Sequence, residues 1–189
     1  MDNPLLDMAG LPPFSRIQPA HAEPAIDKLL AQSREQVDAL LQQPPPFTWQ
    51  NLIEPLELID DRIGRSWSPV SHMNSVVNNQ DLRAAYNACL PKLSEFATEM
   101  GQNEALCAAY KSVAAQAGGL DGAQRKLLEN ALLDFHLSGV DLAPEQKNRF
   151  KEISQELSRL TSKFEENLLD ATNAWSKLIE DPAQLAVLP

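Results

Sequence analysis

Apolar residues recur along this chain at spacings of three and four, the period of helices that bury one side. Over about His21 to Gln43, the residues Ile26, Leu29, Leu30, Val37, Leu40 and Leu41 share a face, and Pro44-Pro45-Pro46 closes the run. Thr48 is a good N-cap for a second helix, with Trp49, Leu52, Ile53, Leu56, Ile59, Ile63 and Trp67 on its inward side. Pro69 lacks a backbone donor and crowds the carbonyl four residues earlier, so this helix is expected to bend or break at Ser66–Pro69. Val70, Met73, Val76 and Val77 carry the pattern beyond it.

Asn78-Asn79-Gln80-Asp81 reads as a turn and a cap, before a third helix marked by Leu82, Ala85, Tyr86, Cys89, Leu93, Phe96 and Met100. Pro91 should kink that helix and Gly101 should cap its end. A shorter fourth helix carries Leu106, Ala109, Tyr110 and Val113 and stops at Gly118-Gly119. A fifth starts at an Asp121 cap, continues through Leu127, Leu128, Ala131, Leu132 and Phe135, and ends near Ser138-Gly139. The sixth and longest opens at Ala143-Pro144-Glu145. It is expected to turn Phe150, Ile153, Leu157, Leu160, Phe164, Leu168, Ala171 and Trp175 inward. Glu145 with Arg149, Glu156 with Arg159 and Lys163 with Glu166 should pair along its outer surface. Past Lys177 the periodicity fades, and Asp181-Pro182 marks a break before Leu185–Leu188.

No stretch alternates apolar and polar residues, so the fold class is all-α, with about six amphipathic helices in an irregular bundle. Eight of the 14 prolines precede residue 47. Residues 1–20 read as an extended, proline-rich arm that lays Phe14 and Ile17 on the body, 21–178 as the helical domain, and 179–189 as the start of a connection. No fixed-period repeat supports a solenoid.

Composition narrows the function classes. The 189 residues carry 16 Lys+Arg against 26 Asp+Glu, a net charge of −10, shared by both halves of the chain. Such a chain has no basic surface for nucleic acid or anionic lipid. No apolar run is long enough to span a bilayer, and no secretory leader is evident, so neither membrane insertion nor secretion is expected. Two cysteines, Cys89 and Cys107, form no disulfide framework and suit a reducing, cytoplasmic setting.

The residues that carry chemistry do not assemble into a site, and no catalytic, cofactor-binding or metal-binding residue is assigned. His21, His72 and His136 are isolated, and none has a second histidine four residues away. His21-Ala22-Glu23 has the H-x-E spacing of zinc deaminases without the P-C-x-x-C that must follow, and reads as a solvated helix start. Asp60-Asp61 and Glu165-Glu166 are neighbours that diverge on a helix, and read as solvated faces. Cys89 lies on an apolar stripe and reads as a buried thiol, as does Cys107. Gly118-Gly119-Leu120-Asp121-Gly122 lacks the strand and lysine of a phosphate loop. Trp49, Trp67 and Trp175 sit at core spacing, with a ligand pocket as the alternative. Phe150 to Phe164 holds about two clean heptads, short of a coiled coil.

Several helices are specific in their wording. DDRIGRSWSPVSH at 60–72, QRKLLEN at 124–130, LSGVDL at 137–142 and DATNAWSK at 170–177 resemble, in this order, the N-terminal portion of the oligopeptidase A family, zinc metallopeptidases of the thimet oligopeptidase type. FSRIQPAHAEPA at 14–25 looks like that family's approach to its first helix. The resemblance covers essentially the whole chain. It implies a segment of a cytoplasmic, monomeric enzyme three to four times longer, whose H-E-x-x-H helix and single zinc ion lie downstream. The segment would be one helical wall of a channel that admits short peptides, without activity alone; its partners would be the missing catalytic part and, in the full-length enzyme, those peptides. A free-standing helical interaction module is the alternative, and a helical small-molecule binder a third reading.

Overall fold

The computed structural model describes residues 3–7, 10–181, 183 and 186, and among them shows six α-helices and no strand. They are α1 (Pro19–Leu41), α2 (Glu54–Val76), α3 (Gln80–Gly101), α4 (Glu104–Ala115), α5 (Gly122–Leu137) and α6 (Pro144–Asn173). Short polar side chains start several of them by satisfying amide groups that have no helical partner. Thr48 and Asn51 bond reciprocally, with Asn51 N–H donating to Thr48 Oγ1 at 3.2 Å and Thr48 N–H to Asn51 Oδ1 at 2.7 Å. This cap opens a π-helical turn, Trp49–Ile53, that feeds α2. Asn79 accepts from Leu82 N–H at 2.9 Å, Asn103 from Leu106 N–H at 2.9 Å, and Asp121 from Gln124 N–H at 2.8 Å.

Three helices carry an internal proline, Pro24 in α1, Pro69 in α2 and Pro91 in α3. α2 runs through Pro69 and α3 through Pro91 with no interruption, so the break expected at Ser66–Pro69 is absent. The reason lies in packing: Ser66, Pro69 and Val70 are all buried, so the turn that loses a backbone bond is held by its surroundings. Between α2 and α3 the chain reverses at Asn78, whose φ of 43° is the left-handed conformation that asparagine tolerates better than most side chains.

Two apolar cores share the α1–α2 pair. One gathers Leu5, Ile17, Ala25, Ile26, Leu29, Leu30, Ile63, Val70, Leu82 and Cys89, with Trp67 stacked on Tyr86 at 4.9 Å between ring centroids. The other joins Val37, Leu52, Ile53 and Leu56 to Leu106, Tyr110 and Val113 of α4 and to Leu128 and Phe135 of α5. The arm before α1 is anchored by Ile17, as expected, and by Leu5, which is 1% exposed; Phe14 remains largely open against His72. α6 lies outside both cores and packs along α3. It ends at Asn173, short of the expected Lys177, and residues 174–181 are non-helical and exposed. Of the break and apolar run expected at 181–188, only Asp181, Ala183 and Ala186 fall within the described residues.

Candidate functional site

α6 is mounted the reverse of what its pattern implies. On its inner side Lys147 Nζ reaches Glu104 of α4 at 2.5 Å, and Lys151 Nζ reaches Glu95 of α3 at 2.5 Å. Ser162 Oγ donates to Asn87 Oδ1 at 2.9 Å, and Asn87 Nδ2 donates to Glu166 Oε1 at 2.6 Å. The Arg83 fork then grips Asp170, with Nη1 at 2.9 Å from Oδ2 and Nη2 at 2.8 Å from Oδ1, while Asn78 Oδ1 accepts from the same guanidinium. The Arg83 hydrogen bond holds the Asp170 carboxyl below its ordinary range, and Lys151 does the same to Glu95. These positions share one face of α6, the pair 147 and 151 lying about three turns before the set 162, 166 and 170, and together form a polar ladder in two parts.

The apolar stripe lies on the opposite side and faces outward. Ile153 is 52% exposed, Leu157 61%, Leu160 49%, Phe164 68%, Leu168 57% and, beyond the helix, Trp175 74%. The inward placement expected for these residues is therefore wrong. Periodicity identifies which face of a helix is apolar; it cannot say whether that face is covered by the same segment.

The expected ion pairs are partly realised. Arg159 pairs with Glu156 at 2.6 Å, Lys163 with Glu166 at 3.5 Å, and Arg149 with Glu152 at 2.8 Å in place of Glu145. Glu166 is 9% exposed, so it is a member of the ladder and not the solvated carboxylate expected from sequence. Glu165, Asp60 and Asp61 are exposed.

The other candidate residues are dispersed. His21 uses Nδ1 to accept from Gln18 N–H at 3.1 Å at the start of α1, and its carbonyl accepts from Asn3 Nδ2 at 2.8 Å. His136 faces Asp141 at 3.0 Å, and His72 packs on Phe14. Cys89 and Cys107 lie in different cores; burial pushes the Cys89 thiol up to about 11, which suppresses the reactive thiolate. Trp49 and Trp67 pack against the two cores, and Trp175 against neither. Gly118 and Gly119 belong to a short 3-10 turn between α4 and α5. No three His, Cys, Asp or Glu side chains among the described residues are grouped as a metal would need.

Two grooves flank the ladder. One of about 650 Å³ lies between α3 and α6, bordered by Asn87, Leu90, Pro91, Arg159, Ser162 and Glu166. A second, of about 370 Å³, includes Tyr86, Leu90, Leu157, Thr161 and Glu165. A smaller hollow of about 230 Å³ lies in the second core beside Glu57, where burial and then Asp60 raise the Glu57 carboxyl.

Residues 26–147 match the N-terminal domain of neurolysin/thimet oligopeptidase. The chain belongs to this family. It is 50% identical over 191 residues to oligopeptidase A of Haemophilus influenzae and 47% identical to oligopeptidase A of Escherichia coli, with the whole chain aligned in each case. A probable cytosolic oligopeptidase A of Arabidopsis thaliana is 34% identical over 189 residues, 99% of this chain. The chain spans about 28% of the length of the two bacterial relatives and 27% of the plant one. Membership in a peptidase family, through its N-terminal domain, accounts for a segment rich in helices and poor in convergent chemistry.

Proposed function

We propose that this chain is the N-terminal helical part of a zinc metallo-oligopeptidase, a metalloendopeptidase that hydrolyses short peptides. In this reading the arm at 1–20, the helical domain at 21–178 and the connection from 179 onward are one side of a peptide-confining channel. The segment shapes that channel and holds none of the catalytic groups. The observation that carries the proposal is the pairing of family membership with an outward apolar helix face: the chain matches 28% of its relatives' length and leaves the α6 stripe open.

The described residues do not fit a zinc site. His21 Nδ1 is committed to the Gln18 amide, His136 faces a single carboxylate, and the two cysteines are buried apart. In the proposed reading zinc and the water-activating carboxylate lie outside this segment, and no step of peptide hydrolysis is assigned to its side chains. A cytoplasmic, monomeric enzyme is part of the proposal, supported by two free thiols and by the plant relative's description as cytosolic.

The test is to read the coding frame beyond residue 189. A continuation that reaches H-E-x-x-H supports the proposal, and a continuation lacking any zinc-ligand motif overturns it.

A further inference from the structure

We propose that the outward face of α6 is a seat for the polypeptide that follows this segment in the full-length chain, so that α6 bonds to its own bundle through polar groups and to the remainder through apolar ones. The inference rests on the reading of the chain as part of a longer peptidase. Its first support is the division of the helix. Among the described residues, α6 is tied to the rest of the bundle by ion pairs and polar hydrogen bonds: Lys147 to Glu104, Lys151 to Glu95, Asn87 to Ser162 and Glu166, and Arg83 to Asp170. Ile153, Leu157, Leu160, Phe164 and Leu168, about half or more exposed, touch neither core. A helix normally docks by its apolar side and solvates its polar side. α6 does the opposite, which is stable only if the apolar side has another partner.

The second support is the spacing, which separates a globular partner from a second copy of the chain. From Ile153 the apolar positions advance by 4, 3, 4, 4 and 3 residues to Ala171, a mean of 3.6. That is the period of a straight helix lying on a globular body. Two copies wound together would need the strict 3.5 repeat of a left-handed coiled coil, and Asn167 occupies the position where that repeat demands an apolar residue. The third support is continuity. The exposed series goes on through Trp175, Leu178 and Ile179 after the helix ends, along the chain toward the part that its longer relatives possess. Trp175 in particular, large and 74% exposed, suits an anchor in a pocket of the remainder.

The test uses Leu157→Cys and Phe164→Cys, placed separately in this 189-residue chain and in the chain extended through its full reading frame, with maleimide labelling of the new thiol followed over time. Cys89 and Cys107 are buried and supply the slow background. In the short chain both thiols should label rapidly and at a rate independent of protein concentration. In the extended chain both should label at least tenfold more slowly. Equal rates in the two chains would overturn the inference, as would protection that appears in the short chain as its concentration rises, the sign of a second copy. Hydrogen exchange of the unsubstituted proteins gives the same comparison without substitution, with slower exchange of α6 amides expected in the extended chain. Peptide cleavage by the extended chain is scored separately: an active enzyme with freely labelled thiols sinks the docking face alone, whereas an inactive one sinks the peptidase reading.

Discussion

Gly101 closes α3 at a point where no side chain fits. A Cβ built there would lie 2.6 Å from the Ser138 Cβ at the end of α5. Gly101→Ala should therefore destabilise the chain by about 1–3 kcal/mol, as overpacking does, measured by urea denaturation. Adding Ser138→Gly should restore much of that loss, and a double-mutant cycle without coupling would rule out the clash. From sequence, Gly101 could be read only as a helix end, because a contact with α5 leaves no local trace. Cys89 shows the converse, since its place on an apolar stripe predicted the buried thiol that is found. Burial raises that thiol from 9.0 to about 11, so the folded state holds the proton that the unfolded chain releases. The contribution is complete below pH 9.0 and is lost as pH rises through 11. Urea midpoints should fall over that window, and Cys89→Ala should flatten the fall; identical slopes would contradict the assignment.

Elements were more legible than their mounting. Thr48 and Asp121 announced their helix starts, because an N-cap is a local bond between a side chain and an amide three residues on. Pro69 misled in the other direction: it removes one backbone bond, but the tertiary packing around it outweighs the local preference and α2 continues without a break. Leu5 was missed because its anchoring depends on where the arm folds back, which no periodicity encodes. For α6 the sequence correctly marked a strongly amphipathic helix and gave the wrong direction to its apolar side. The ladder that holds it predicts a particular salt response. Exposed ion pairs are screened within about 8–10 Å at physiological salt and more strongly above it, whereas apolar cores are not. Raising sodium chloride from 50 mM to 500 mM should speed amide exchange in α6 several-fold and leave the interior of α1 unchanged. Equal effects on the two helices would show that α6 is held by something other than the ladder from Arg83 to Lys151.

At the scale of the whole molecule, the surface is what distinguishes this chain from a self-sufficient bundle. Its two cores are closed around α1–α5, yet one long helix offers apolar side chains to water. The isolated chain should bind a hydrophobic dye strongly, and the double variant Leu157→Glu/Phe164→Glu should lose most of that signal while keeping its helical circular dichroism. Dye binding unchanged by the substitutions would place the open surface elsewhere. The family was legible because its wording is spread over several helices; among the described residues the candidate histidines and cysteines lie apart, so spacing along the chain could not join them into one constellation. In the proposed reading this segment is a wall and not a catalyst. Its most direct test is cleavage of a quenched fluorogenic oligopeptide by the 189-residue chain and by the same chain extended through its reading frame, each with added zinc. The account predicts no turnover above blank for the short chain and chelator-sensitive cleavage by the extended one. Chelator-sensitive turnover by the short chain, or none by the extended chain, would contradict it.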